Sequence, residues 1–266
     1  MTSLLRGSAL ITGAASGIGQ RTALCFAKYG IQRLALADIN KGLLTSSINT
    51  LRSQYPTVDV VPLEMDVRDI SQVRSGIADV AQRFGRLDVA VNNAGVGGSG
   101  KNTDAVEEEE WASVLDVNLH GVWRCQREEL RVMMRQDDRG PREGRGRIIN
   151  ISSMLGLVGT AEGMSHTAYC TSKHGVIGLT RADATTYGAM GIRINAICPG
   201  YVATPLTSHY SESNPDSPLA RDIKQTPLKR LADVEEIGDA ITLLASPMTS
   251  FMQGAAMVID GGFTVQ

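Results

Sequence analysis

Seven short apolar runs punctuate this chain: Ser8–Ile11, Leu34–Ala37, Val58–Leu63, Leu87–Val91, Ile148–Ile151, Ile192–Ile197 and Met257–Ile259. Each is too short for a buried helix and reads as a strand. They are continuous runs rather than alternations, the pattern of strands covered on both faces. Helical stretches separate them. After the first run, Ile18, Thr22, Ala23, Phe26 and Ala27 line one side of a helix. Near the end, Asp233 followed by Glu236 forms a capping-box pattern that opens a helix carrying Ile237, Ile241 and Leu244. Strand–helix alternation implies parallel strands joined by right-handed crossovers, hence an α/β doubly wound sheet. Residues 1–266 show no compositional break or linker and are expected to form one domain.

Composition narrows the function. With 42% hydrophobic residues the chain can bury a large core, which excludes disorder. Twenty-six basic against 28 acidic side chains leave a formal charge of −2, so nothing pulls the whole molecule toward nucleic acid or an anionic membrane. The expected partner is a small molecule, with no nucleic acid and no membrane. Cys25, Cys125, Cys170 and Cys198 are scattered without a C-x-x-C pair and read as reduced thiols. No zinc pattern unites them with the histidines, so no metal is expected. The first strand begins at once, leaving no room for a cleavable signal, and no apolar run suffices to span a bilayer. A cytoplasmic protein is expected.

Between the first strand and the first helix stands Thr12–Gly19, TGAASGIG. Gly13, Gly17 and Gly19 permit a sharp turn and a close approach of backbone to a pyrophosphate, which a helix N-terminus favours. Spacing alone fits a plain strand–helix turn equally well. Context favours the first reading: Asp38 ends the second strand, placed to accept the ribose hydroxyls of an adenosine. That carboxylate repels a 2′-phosphate, and neither Ser16 nor Ile39 offers a compensating charge, so the cofactor expected is NAD rather than NADP. A second glycine run, Gly95–Asn102 (GVGGSGKN), falls one residue short of a triphosphate loop and has Asn102 where magnesium needs a hydroxyl. It reads as a flexible loop.

Tyr169 and Lys173 stand at i and i+4 in a helix running to about Tyr187, which puts phenol and ammonium on one face. A neighbouring cation lowers a phenol's pKa and suits it to exchange a proton with an alcohol or ketone. An ordinary helix with a packing tyrosine and a surface lysine fits the same spacing. Asn150-Ile151-Ser152-Ser153 closes a buried strand, so its hydroxyls emerge at the carboxyl end, where open α/β sheets bind ligands. Ser153 there can bond a reacting oxygen or simply cap a turn. The sequon at Asn150 lies within that strand and is discounted as a glycosylation site.

Taken in order, TGAASGIG, Asp38, Asp66-Val67, Asn92-Asn93-Ala94-Gly95, Asn118, Ser153, Tyr169 with Lys173, and Pro199-Gly200 through Thr204 resemble the motifs of the short-chain dehydrogenase/reductase family. The resemblance runs from about Leu10 to the IDGGF segment at Ile259–Phe263. It implies a Rossmann-type parallel sheet of about seven strands with helices on both faces. It also implies roles. Gly13, Ser16, Gly17, Ile18 and Gly19 would hold the pyrophosphate, and Asp38 the ribose. Asp66 and Val67 would flank adenine, Asn93 and Gly95 would line the cofactor channel, and Pro199, Val202 and Thr204 would fix the nicotinamide amide. Tyr169 would be the general acid/base, Lys173 would tune it and hold the nicotinamide ribose, Ser153 would orient the substrate oxygen, and Asn118 would support a water relay.

The expected activity is NAD-dependent hydride transfer between nicotinamide and a secondary alcohol or ketone. A ketoreductase working in the reducing direction, or a non-catalytic dinucleotide sensor of the same fold, is the alternative. Ser153 and Tyr169 are 16 apart where the family commonly shows about 13, a small insertion beside the substrate pocket that leaves Ser152 as another candidate. The pocket is expected from Gly95–Thr103, Met154–Thr167 and Tyr201–Leu228, with Val96, Met154, Leu155, Leu157, Val158, Met164, Tyr201 and Leu206 suggesting a moderately large apolar substrate of polycyclic or terpenoid type. Thr204–Leu228, with four prolines, reads as a lid or plain surface loop. Asp137–Arg147 reads as a solvated charged excursion. Cys170 is expected to pack, and His166, close enough to the site to touch substrate, reads rather as a loop residue. A homotetramer or homodimer is expected from the family, through the Tyr169–Tyr187 helix and the C-terminal segment.

Overall fold

The computed structural model describes residues 3–160, 165–207 and 217–266. Strands β1 (Ser8–Thr12), β2 (Arg33–Asp38), β3 (Asp59–Glu64), β4 (Val89–Asn92), β5 (Gly146–Ile151), β6 (Ile192–Pro199) and β7 (Ala256–Ile259) form one sheet in the order β3-β2-β1-β4-β5-β6-β7. Every neighbouring pair is parallel. The expected strands are all present, their ends shifted by no more than two residues. The inner strands β1, β4 and β5 are buried at every position, as continuous apolar runs require. At the edges, β3 alternates buried and exposed residues and β7 is half-buried, because each has a neighbour on one side only.

Helices α1 (Gly17–Lys28), α2 (Lys41–Gln54) and α8 (Val234–Ala245) cover one face. Phe26, Leu44, Ile48 and Ile241 pack there against Ile11, Leu36, Val91 and Ile149. Helices α3 (Ile70–Phe84), α5 (Val122–Met133) and α6 (Thr167–Tyr187) cover the other, where Val73, Ile77, Leu130 and Met133 meet Leu10, Ala35, Ala90 and Ile148. Successive strand residues thus feed opposite cores, the period-2 geometry of a pleated strand. Full burial of one such side chain stabilises by about 1.5–3 kcal/mol.

Local signals set the helix starts. Asn40 Oδ1 accepts the Leu43 N–H at 3.0 Å to open α2, and Asp69 accepts the Ser71 and Gln72 N–H groups to open α3. The capping box expected at Asp233 and Glu236 is formed at the start of α8, with the Asp233 N–H donating to Glu236 at 2.8 Å. Helix α4 (Glu108–Leu115) runs into α5 through a π-helical turn, Asp116–Gly121. Within Thr204–Leu228 the chain forms a further helix, α7 (Pro218–Gln225), where no periodicity was read. Residues 208–216 of the expected lid, and Met164, lie outside the described residues. The Asp137–Arg147 expectation needs correction: its last two residues, Gly146 and Arg147, belong to β5, and Arg147 is 2% exposed and pairs with Glu143. Sheet membership overrides the local charge pattern.

A buried polar network ties the carboxyl ends of β4 and β5 to α5 and α6. The Asn92 amide donates to Glu129 Oε2 and to Asn150 Oδ1, both at 3.0 Å. Asn150 in turn donates to Gln126 at 2.7 Å and to Thr180 at 2.9 Å. Glu129 is fully buried, and burial pushes its carboxyl up to about 8. An unfolded glutamate ionises near its ordinary value of 4.5, so between that pH and about 8 the unfolded chain has released a proton that the folded chain keeps. Stability from this group is therefore fullest below pH 4.5 and declines as pH rises toward 8. Glu129→Gln, neutral throughout, should gain in melting temperature relative to the parent steadily from pH 5 to pH 8; a flat difference in thermal melts across that range would refute a protonated Glu129.

Candidate active site

Sheet order reverses between β1 and β4, and the crevice outside the strand ends at such a point is where open α/β sheets take ligands. A cleft of about 400 Å³ lies there. Its wall includes Gly13, Ser16, Ile18, Asp38, Asn93 and Gly95 on one side, and Ser153, Tyr169, Lys173, Pro199, Val202 and Thr204 on the other. Residues up to 206 positions apart in the sequence, Gly13 and Leu219, meet because parallel strands all end on the same side of the sheet.

The glycine loop is shaped by contact as well as by freedom. Gly13 adopts φ +64°, and a Cβ on Gly19 would sit 2.2 Å from the Gly13 carbonyl oxygen and 2.6 Å from the Asn93 amide nitrogen. The Asn93 amide donates to the carbonyls of Thr12 and Gly13, both at 3.0 Å, and the Thr12 hydroxyl accepts the Asn93 N–H at 3.0 Å. Unlike α2, α3 and α8, helix α1 has no side-chain cap: Ser16 is extended and makes no bond into the first turn. The first amides of α1 are thereby left to an anion. Asp38 stands beside them, one carboxylate oxygen accepting the Ala15 N–H at 3.0 Å and the other the Asn40 N–H at 2.9 Å. Nearby Lys41 is paired with Glu64 at 2.9 Å. An uncapped helix start, a cradle with no room for side chains and a fixed carboxylate suit a dinucleotide.

Across the cleft, β5 and α6 are joined by reciprocal bonds. Lys173 Nζ donates to the Ile151 carbonyl at 2.8 Å, and Ser152 Oγ donates to the Lys173 carbonyl at 2.9 Å. Ser152 is thus committed to the helix backbone, and Ser153 is the hydroxyl left for the site. Ser153 Oγ accepts the Leu155 N–H at 3.1 Å, which turns its own proton outward, and it bonds the Tyr169 phenol. The Lys173 ammonium lies 5.5 Å from the Tyr169 ring centre. Burial pulls Lys173 down to about 8. It pushes Tyr169 up to about 12, opposed by the Ser153 hydrogen bond. In the protein alone burial sets the direction for the phenol, while the lysine's ammonium is engaged with the Ile151 carbonyl. The phenol rests protonated, as a proton donor.

Asn118 sits in the π-helical turn, fully buried just behind the wall. Its side chain clamps Val96, donating to the carbonyl and accepting the N–H, both at 2.8 Å, and also donates to Ser172 Oγ at 3.2 Å. A Cβ on Gly95 would lie 3.3 Å from Asn118 Oδ1 and 3.6 Å from Lys173 Nζ, so this clamp sets the wall next to the lysine. Asp66 and Val67, expected at the adenine, are not in the wall. Arg68 grips the Asp66 carboxylate and lowers its pKa, while Val67 is buried against the position where Gly121 would carry a Cβ. Gly17, at φ +53°, faces Thr204 and Pro205, and Gly19 packs against the Gly13 carbonyl. Of the expected apolar pocket, Met154, Leu155, Tyr201 and Leu206 line the cleft, and Val96, Leu157 and Val158 do not. Leu219 of α7 and His166 join the wall. The helix that carries Leu219 has no clear period in the sequence, whereas the nearness of His166 to the site is readable from its place just before Tyr169.

Comparison with known proteins agrees with this geometry. A family model described as Enoyl-(Acyl carrier protein) reductase, of the short-chain dehydrogenase type, matches residues 13–264. "Oxidoreductase UcpA" of Salmonella typhimurium is 38% identical over 271 residues, covering 100% of this chain and 97% of that protein. "3-oxoacyl-[acyl-carrier-protein] reductase FabG" of Thermotoga maritima is 36% identical over 260 residues, covering 96% and 97%. Among solved structures, that of levodione reductase superposes with a TM-score of 0.88 at 33% identity, covering 97% of this chain and 98% of that one. The chain belongs to the short-chain dehydrogenase/reductase family, whose members are oxidoreductases that use a nicotinamide cofactor.

Gly19→Ala places its methyl against backbone and should weaken binding of a reduced nicotinamide dinucleotide, NADH or NADPH, by about tenfold or more and destabilise the fold by about 1–3 kcal/mol. Gly85→Ala, at the left-handed C-cap of α3 (φ +76°) and outside the cleft wall, should cost stability through backbone strain yet leave binding unchanged. Fluorescence titration with NADH and NADPH and thermal melts of the two variants measure the contrast.

Proposed function

We propose that this short-chain dehydrogenase/reductase moves a hydride between NAD and a secondary alcohol or its ketone, and works chiefly as a ketoreductase. The observation that carries the proposal is the convergence of the Tyr169 phenol, the Ser153 hydroxyl and the Lys173 ammonium on one cleft with the uncapped start of α1 and Asp38. Such a constellation is superfluous in a dinucleotide sensor. The bound nicotinamide supplies the hydride chemistry. Gly13, Ser16, Gly17, Ile18 and Gly19 hold its pyrophosphate, Asp38 its adenosine ribose, and Pro199, Val202 and Thr204 its amide end.

On the protein side, the Ser153 O–H orients the substrate oxygen. The Tyr169 phenol gives that oxygen its proton in reduction and takes it back in oxidation. The relatives whose names describe reductases support the reducing direction. Lys173 and Asn118 hold phenol and wall in place. Asp38, with both oxygens already oriented by backbone N–H groups, is set to accept ribose hydroxyls and to repel a 2′-phosphate; Lys41, three residues on, pairs with Glu64. Met154, Leu155, Leu206 and Leu219 favour a neutral, largely apolar substrate. Among the described residues no helix is long and apolar enough to cross a membrane. A cytoplasmic homo-oligomer acting on small molecules completes the proposal.

Tyr169→Phe should lower kcat by about 10²–10⁴ while NADH still binds in fluorescence titration; retained turnover would remove the mechanism. Asp38→Ala should erode the preference for NADH over NADPH about tenfold or more, read as the ratio of kcat/KM values. A parent enzyme that already prefers NADPH would refute the ribose assignment.

A further inference from the structure

Helix α7 buries Leu219 and Asp222 and leaves Arg221, Lys224 and Gln225 exposed. Leu219 and Asp222 stand at i and i+3, neighbours on one helical face. Leu219 joins the wall of the cleft. Asp222 brings a carboxylate into the same packed face, where an unpaired charge would be costly. The Tyr201 hydroxyl meets it, donating to Oδ2 at 2.5 Å.

Tyr201 is itself fixed. It follows Pro199-Gly200 at the end of β6, and its carbonyl accepts the Ala232 N–H at 2.9 Å. Phe263 packs edge-on against its ring, with centroids 5.6 Å apart and planes at 87°. The ring lines the cleft, and the phenol feels the Cys170 thiol, which adjoins Tyr169 on α6. Just past α7, the Thr226 N–H and hydroxyl bond the Asp222 carbonyl at 2.9 and 3.0 Å, and the Leu228 N–H donates to Gly261 at 3.2 Å. A helix of eight residues is too short to hold itself, so contacts of this kind set its place. Among them, the Tyr201–Asp222 bond is the one that ties α7 to a ring of the cleft wall.

We propose that Tyr201 and Asp222 form a positioning pair whose bond holds Leu219 in the wall of the substrate pocket, and that through Leu219 the pair selects bulky apolar ketones over small ones. The inference rests on the catalytic reading above. The Tyr201 hydroxyl is spent on Asp222, and Asp222 stands outside the cleft wall, so neither group serves the reacting oxygen. The pair therefore acts on how tightly a large substrate is held, which is read in KM, and leaves the proton and hydride steps to Tyr169 and the nucleotide. Removing either partner strands the other as a buried, unpaired polar group and loosens α7.

The test compares 4-tert-butylcyclohexanone with acetone, using NADH and NADPH in parallel. The parent enzyme should favour the bulky ketone about tenfold or more in kcat/KM. Tyr201→Phe, which keeps the ring and removes only the bond, should cut that preference about tenfold, through a higher KM for the bulky ketone rather than a lower kcat. Asp222→Asn, which still offers the hydroxyl an acceptor, should keep most of the preference. Leu219→Ala should lose as much as Tyr201→Phe, and combining the two should cost no more than about twofold further, since both act through one side chain. Leu219→Ala and Asp222→Asn carry the comparison should Tyr201→Phe fail to fold. No size preference in the parent, an equal loss on both ketones, weakened nucleotide binding in fluorescence titration, or fully additive losses in the double variant would overturn the inference and leave the catalytic reading intact. Failure to reduce either ketone with either nucleotide, with nucleotide binding retained, would overturn the catalytic reading and this inference with it.

Discussion

The site depends on the seam between β5 and α6. Lys173 reaches across to the Ile151 carbonyl while Ser152 reaches back to the Lys173 carbonyl, so strand end and helix are locked in one register. The seam is tight: a Cβ on Gly156 would stand 2.5 Å from the Ser152 hydroxyl and 2.8 Å from the Lys173 carbonyl. Buried donors and acceptors left unpaired cost about 1–3 kcal/mol each, so slipping this register would strand several at once. Because the seam holds, Ser153 and Tyr169 face each other, and a hydroxyl on a strand end and a phenol on a helix become one unit.

The opposite wall obeys a different physics. Around β1 and α1 the structure withholds side chains where the others supply them. Gly13 and Gly19 bring backbone against backbone, and Ser16 leaves the first amides of α1 without a cap. An anion-binding start is thereby built from main chain alone, with Asp38 held beside it. Two surfaces of opposite character, one rich in unshared donors and one bearing a proton donor, face each other across the switch point of the sheet.

Burial gives the titratable groups their character. The same desolvation that keeps Glu129 protonated within the α5–α6 face raises the Tyr169 phenol and lowers the Lys173 ammonium. Glu129 serves the scaffold, since it meets Asn92 and stands away from the cleft wall. For Tyr169 the same effect serves chemistry, because its oxygen faces the cleft beside Ser153. Position relative to the cleft, rather than the size of the shift, separates structural from chemical use of a perturbed group.

The strands, the glycine loop and the acid at the end of β2 were legible in the sequence because they follow local rules: short apolar runs, backbone freedom at glycine, a carboxylate at a strand end. So were Tyr169 and Lys173, whose i, i+4 spacing is itself local geometry. Other features depend on contacts between distant segments. Asn118 occupies a π-helical turn that no hydropathy period announces, and its partner Val96 is known only once the chain has folded. Arg147 looked like part of a solvated loop and is a buried strand residue; Ser152 and Ser153 became distinguishable only when α6 claimed one of them. The amino-acid order determined the layers of this protein and the chemistry available at its strand ends. Tertiary structure alone decided which oxygen faces which proton and which groups lose their water, because hydrogen-bond pairing and desolvation are properties of neighbours in space.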